Sequence, residues 1–131
     1  MPKKKPKQSQ VIEIPKLILY TAKFLQAISS SITTKFAAKL FTTPIRHKLP
    51  KRELHMERES VQKSIMIPSI NKEIVVYEYG KSDKKILLVH GWSGRGTQLV
   101  KIADELLKMG YMTISFDAPA HGKSKGNYSI M

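Results

Sequence analysis

One stretch, residues 84–96 (KKILLVHGWSGRG), constrains the fold of this chain more than any other. An apolar run at positions 86–89 passes directly into His-Gly and a loop rich in glycine. Continuous rather than alternating apolar runs are typical of parallel strands that are buried on both faces. In open α/β sheets, ligands bind beyond the carboxyl ends of such strands. The stretch therefore predicts a buried strand with a functional site at its end.

The sequence on either side of this stretch predicts an α/β fold. Residues 97–109 have helical apolar spacing and stop at Gly110, and residues 111–116 form a second strand. Strand, loop, helix and strand make a βαβ unit with parallel strands. Upstream, residues 63–67 and 73–79 have the composition of an antiparallel hairpin.

Three kinds of glycine loop can be compared with the loop at 90–96. A phosphate-binding loop of the Walker type needs a lysine where Thr97 stands. A dinucleotide-binding loop needs a third glycine where Leu99 stands. An oxyanion loop, in which His-Gly after a strand directs backbone N–H groups towards a developing negative charge, violates nothing in the sequence.

With LLVHGWSGRG at 87–96 and ISFDAPAHGKSKG at 114–126, the chain resembles the α/β-hydrolase family over about its second half. The resemblance implies an α/β fold made of the N-terminal part of an α/β-hydrolase sheet, with an antiparallel hairpin followed by βαβ. An amphipathic helix, predicted from apolar spacing alone, precedes this sheet. The resemblance also implies esterase- or lipase-like hydrolysis of a small-molecule ester without a cofactor. Gly91 and Trp92 would form the oxyanion hole, and the loop-shaping residues would be His90, Gly94, Gly96, Asp117, His121 and Gly122.

The family's catalytic serine lies on a strand-to-helix elbow, G-x-S-x-G, and is followed by an acid and a histidine. The pentapeptide at 122–126 matches the elbow motif around Ser124. However, Ser124 lies eight residues after Phe116, beyond a proline and a glycine, so it does not leave a strand directly. We therefore assign no nucleophile, acid or catalytic histidine, and we expect an N-terminal portion of a hydrolase that is inactive alone. The strand at 86–89 would then lie at an open sheet edge.

Positive charge is concentrated in the first half of the chain. Residues 1–63 hold 14 Lys and Arg against 4 Asp and Glu, whereas residues 64–131 hold 9 against 6. We predict a disordered basic tail (1–14), an amphipathic helix (15–43), a linker (44–62) and a partial α/β-hydrolase domain (63–131).

Two interpretations of the predicted helix stay open. Its apolar side could pack on the hydrolase domain, or it could lie on an anionic membrane surface with weak affinity. A noncatalytic, basic membrane- or nucleic-acid-associating protein is the alternative function, although no nucleic-acid-binding motif accompanies the lysines. The histidines lack metal-ligand spacing, and the absence of cysteine suits a cytoplasmic protein.

Overall fold

The computed structural model describes residues 14–129, and it contains the α/β arrangement predicted from the sequence. Four strands form one sheet in the order β1-β2-β4-β3. The strands are β1 (Val61–Ile67), β2 (Lys72–Tyr79), β3 (Lys85–Leu88) and β4 (Met112–Asp117). The helices are α1 (Lys16–Ile28), α2 (Ser30–Thr42), α3 (Leu54–Glu59) and α4 (Val100–Lys108). None of these helices is both long and apolar enough to cross a bilayer.

The hairpin and the βαβ unit both lie where their patterns predict them. β1 pairs antiparallel with β2, β2 pairs antiparallel with β4, and β3 pairs parallel with β4 across helix α4. A short 3-10 turn at Pro68–Ile70 and Asn71, whose φ is 48°, close the hairpin. Gly110, with a φ of 82°, ends the helical segment by adopting the left-handed conformation that favours glycine.

The two faces of the sheet are unequally covered at β3. On the covered face, Leu88 and Tyr79 pack in one cluster with Val100 and Ala103 of α4 and Met56 of α3. On the opposite face of β3, the Leu87 side chain is 61% exposed and that of Val89 is 57% exposed. Within the described residues, β3 is an edge strand that pairs only with β4, as the family resemblance implies.

Within the segment predicted as a linker, residues 44–62, the structure contains regular elements from Lys51 onwards, which the sequence did not predict. A 3-10 turn at Lys51–Glu53 leads into α3, whose Met56 is completely buried. His55 of α3 lies 3.0 Å from an Asp104 carboxylate oxygen, which ties α3 to α4. Polar and charged residues surround Met56 in the sequence, so a helix of six residues gave no detectable apolar period.

The helix predicted over residues 15–43 is two helices, which also differs from the expectation. Ser29, with extended backbone (φ −165°, ψ 128°), separates α1 from α2. The N–H of Ser29 donates to the Leu25 carbonyl, and its own carbonyl accepts from the N–H of Thr33. Serine favours helix ends because its side chain competes for backbone hydrogen bonds, and three serines stand together at 29–31.

The described residues belong to two compact units, one before and one after the boundary between Ala38 and Lys39. In the first unit, no residue of α1 is buried. The second unit contains the sheet, α3, α4 and the loops that follow β3 and β4. Residues 1–13, most of the predicted basic tail, lie outside the described residues.

Candidate active site

A tight turn immediately after β3 forms the centre of the candidate site. The Gly94 N–H donates to the Gly91 carbonyl over 3.0 Å, which closes a four-residue turn. Ser93, in the third position, has a φ of 55°, whereas Trp92 in the second position does not have a positive φ. This combination defines type II turn geometry, in which the N–H of the second residue takes no part in closing the turn.

His90 fixes the start of this turn. Its Nε2 accepts the Ala118 N–H over 3.0 Å, so Nδ1 must carry the proton that it donates to the Gly91 carbonyl at 2.7 Å. This pattern requires a neutral imidazole. Burial lowers the pKa of His90 below its usual value, which favours that neutral form.

His121 fixes the far side of the same turn. This buried imidazole accepts the Ser93 N–H at Nε2 over 3.1 Å, and its Nδ1 lies 3.0 Å from the Pro119 carbonyl. The rings of His90 and His121 have centroids 4.9 Å apart. Because both nitrogens of both rings are occupied by backbone partners, neither histidine offers a free nitrogen for general-base catalysis in this arrangement.

The loop after β4 is organised around Asp117, which is fully buried. One carboxylate oxygen accepts the Gly96 N–H at 2.6 Å, and the other accepts the Lys123 N–H at 2.7 Å and the Tyr77 hydroxyl at 2.8 Å. Burial, followed by the negative charge of Asp117, raises the pKa of Tyr77 well above its usual value. Asp117 therefore joins the β3 loop, the β4 loop and β2 by three hydrogen bonds.

Two glycines of the sequence motifs are required by close approach. A Cβ on Gly96 would lie 2.6 Å from a ring carbon of Tyr77. A Cβ on Gly122, whose φ is 45°, would collide with the Asp117 carboxylate. At Gly91, by contrast, a Cβ would meet nothing within 4 Å among the described residues, so the space beside the turn is open.

Ser124, the serine of the elbow-like pentapeptide, is buried in a structural position. Its hydroxyl donates to the Asp117 carbonyl at 2.6 Å and accepts the Val75 N–H at 2.8 Å. Only 1% of the residue is exposed. Both hydrogen bonds hold the β4 loop against β2, and the oxygen does not face the open space beside Gly91.

Sequence reasoning missed Arg46, which lies in the segment predicted as a linker. Its guanidinium donates to three backbone carbonyls of the β4 loop: Ala120 at 3.0 Å, Ser124 at 2.7 Å and Gly126 at 3.0 Å. These partners lie 74 to 80 positions away in the chain, so no local pattern could have revealed them.

Glu53 was missed for the same reason. Its buried carboxylate accepts the Thr97 hydroxyl at 2.8 Å and lies 3.9 Å from the Arg95 guanidinium. Arg95 also donates to the His47 carbonyl. Residues 47 and 53 are thus tied to the end of the β3 loop, and this is why the supposed linker is ordered there.

The group of the site that can bind a reacting atom is a backbone N–H on the turn at 91–94. Within residues 14–129, the backbone N–H of Trp92 has no acceptor. The indole ring of Trp92 stacks on the Phe41 ring, with 5.7 Å between the centroids. A free N–H on a rigid turn beside open space can stabilise a negatively charged oxygen. No group of three or more His, Asp or Glu side chains in this part of the chain is arranged to hold a metal ion.

Among known proteins, similarity to this chain was found with a solved structure. No protein-family model matches the chain, and no curated protein matches it. A solved structure of an esterase from Pyrococcus furiosus is similar, with 26% identity and a TM-score of 0.55. The match covers 66% of this chain and 34% of the esterase chain, so the chain spans about a third of that enzyme's length.

This similarity and the strand order agree with the predicted fold. The chain has the fold of the N-terminal part of an α/β-hydrolase sheet, with helical segments in front of it. The coarse prediction of a hydrolase-like, esterase-like chain is supported by the same match.

Proposed function

We propose that the turn at 91–94 is the oxyanion-binding part of an esterase active site, which hydrolyses a small-molecule ester through a serine acyl-enzyme. The observation that carries this proposal is the backbone N–H of Trp92, which has no acceptor among the described residues and lies on a turn held on both sides by the rings of His90 and His121. The similarity to an esterase supports the same reaction class.

In the proposed reaction, a serine hydroxyl attacks the ester carbonyl carbon and loses its proton to a histidine. The carbonyl oxygen gains negative charge in the tetrahedral intermediate and accepts the Trp92 N–H. The intermediate then collapses, the protonated histidine gives its proton to the leaving oxygen so that an alcohol departs, and water hydrolyses the acyl-enzyme by the same steps, which restores the serine hydroxyl. The open space beside Gly91 would admit the substrate carbonyl close to the backbone.

No described residue is assigned as the nucleophile or the base. Ser124 is buried with both hydrogen-bonding directions used, and His90 and His121 have no free ring nitrogen. In α/β-hydrolase sheets, the strand that carries the serine elbow pairs with the edge of the strand equivalent to β3, and that edge has no partner strand among the described residues. The proposal therefore requires a serine, an acid and a histidine from outside residues 14–129.

The test is ester hydrolysis by the product of the complete open reading frame that contains these codons, with p-nitrophenyl butyrate as substrate. Two variants of one residue form a matched pair. Trp92→Pro removes the N–H, and proline is favoured at the second position of a type II turn, so the turn should persist. Trp92→Ala keeps the N–H and removes the indole.

We expect Trp92→Pro to lower kcat by about 10²–10³-fold, which is the usual effect of removing one oxyanion donor. Trp92→Ala should retain kcat within about tenfold, because the donor remains. Equal kcat values for the two variants would contradict the role of the Trp92 N–H. A complete gene product with no esterase activity would contradict the proposed function itself.

A further inference from the structure

Helix α1 has an exposed apolar stripe that the proposed esterase function does not use. Leu17, Tyr20, Phe24 and Ile28 are 77%, 67%, 66% and 60% exposed, respectively. Their spacing of three, four and four residues aligns them along one side of the helix. Four large apolar side chains in a row are more than the scattered exposure that is normal on a protein surface.

Nothing within α1 itself accounts for its stability. The helix has 13 residues, none of them buried, and Pro15 at its N-cap makes no side-chain capping bond. Lys16 stands in its first turn, where a positive charge opposes the helix dipole. Isolated helices shorter than about 12–15 residues are marginal in water, so α1 needs a surface against which its stripe can be buried.

The positive charge of residues 14–52 indicates which kind of surface the apolar stripe of α1 binds. Residues 14–52 contain no Asp or Glu, and they hold eight basic residues: Lys16, Lys23, Lys35, Lys39, Arg46, Lys48, Lys51 and Arg52. On α1, Lys16 and Lys23 are two turns apart and flank one side of the apolar stripe. Lysines at the border of an apolar stripe can keep their amines among lipid headgroups while the stripe enters the acyl region.

We propose that α1 docks on the surface of an anionic lipid bilayer, with Leu17, Tyr20, Phe24 and Ile28 inserted and Lys16 and Lys23 at the headgroups. Nucleic acid would satisfy the positive charge but would leave the apolar stripe in water, so the stripe favours the bilayer. The proposal does not depend on the esterase proposal, since it concerns different residues and a different partner.

The test is flotation of the 131-residue protein with vesicles of phosphatidylcholine alone or of phosphatidylcholine mixed with phosphatidylserine. We expect binding to the anionic vesicles that exceeds binding to the neutral vesicles by more than tenfold. The double variant Lys16→Glu and Lys23→Glu should lose more than about 25-fold in affinity, since each lysine near an anionic surface contributes roughly fivefold.

The double lysine variant and Phe24→Ala on α1, with two control variants on the sheet unit, separate the apolar and electrostatic contributions to vesicle binding. Phe24→Ala should weaken binding by about tenfold, because a buried aromatic ring is lost. Met109→Ala changes a side chain of similar exposure (68%), and Lys101→Glu changes the charge of an exposed residue on α4. Both controls should bind anionic vesicles as the unaltered protein does.

Several results would overturn the proposal. Equal binding to neutral and anionic vesicles would remove the role of charge. Full retention of binding by Phe24→Ala would leave a purely electrostatic contact without insertion. No binding to either vesicle, with or without binding of the protein to a DNA duplex, would exclude the bilayer as the partner of α1. Since all the altered side chains are exposed, far-UV circular dichroism should show unchanged folding in each variant.

Discussion

Removal of the Asp117 carboxylate should be among the most damaging single changes in the sheet unit. In Asp117→Ala, three donors lose their acceptor: the N–H groups of Gly96 and Lys123 and the hydroxyl of Tyr77. An unsatisfied buried donor costs about 1–3 kcal/mol, and part of this is recovered because a buried charge is also removed. We expect a loss of about 4 kcal/mol in the free energy of unfolding.

Tyr77→Phe provides a second, milder perturbation of the same cluster. It removes one donor and leaves the Asp117 carboxylate with two, so the expected loss is about 1.5 kcal/mol. In the double variant, the phenylalanine no longer presents an unsatisfied hydroxyl to the alanine. Its loss should therefore be about 1.5 kcal/mol smaller than the two single losses added together.

The assay is urea unfolding at pH 7, followed by far-UV circular dichroism, with Glu105→Ala on the exposed side of α4 as a control. The control should change stability by less than about 0.5 kcal/mol. Additive losses in the double variant would refute the direct coupling of Tyr77 to Asp117. A loss below about 1 kcal/mol for Asp117→Ala would refute the organising role of the carboxylate. If Asp117→Ala does not fold, the loss in Tyr77→Phe still tests the bond.

Three further predictions use the same unfolding measurement. Gly96→Ala should lower the free energy of unfolding by about 1–3 kcal/mol, because its Cβ meets the Tyr77 ring. Gly91→Ala should leave the free energy of unfolding nearly unchanged, and similar losses in the two variants would contradict the assigned packing. Thr113→Val should gain about 1 kcal/mol, because the buried Thr113 hydroxyl has no partner among the described residues, and a loss would reveal one. Burial lowers the pKa of His90 in the folded protein. The contribution of the neutral His90 ring to the free energy of unfolding should therefore be complete above about pH 6.5 and be lost as the pH falls through the folded-state pKa. An NMR titration that gives a folded-state pKa at or above about 6.5 for His90 would contradict this prediction.

The βαβ unit and the hairpin could be predicted because their signals are local. The apolar run before His90 and the helical spacing after Gly96 each lie within one element, and the left-handed Gly110 ends the helical segment. The strand order then follows from a few general rules of connection and from the family resemblance.

The parts that could not be predicted depend on contacts distant in sequence. Arg46 binds carbonyls of the β4 loop, and Glu53 binds Thr97, but both stand in a charged stretch without periodicity. The break at Ser29 was missed because the apolar spacing continues across it, although the backbone of Ser29 is extended. The partners of His90 and His121 are backbone groups, whose positions no residue pattern specifies.

The most direct test of the central claim is the identity of the reactive serine in the complete gene product. The protein would be labelled with a fluorophosphonate, which reacts with activated serines, and the labelled peptide would be identified by mass spectrometry. We predict one labelled serine, outside residues 14–129 and within a G-x-S-x-G sequence, with slower labelling in Trp92→Pro than in Trp92→Ala. Label on Ser124 or Ser93, or no labelled serine at all, would contradict the assignment of this loop as the oxyanion site of a serine esterase.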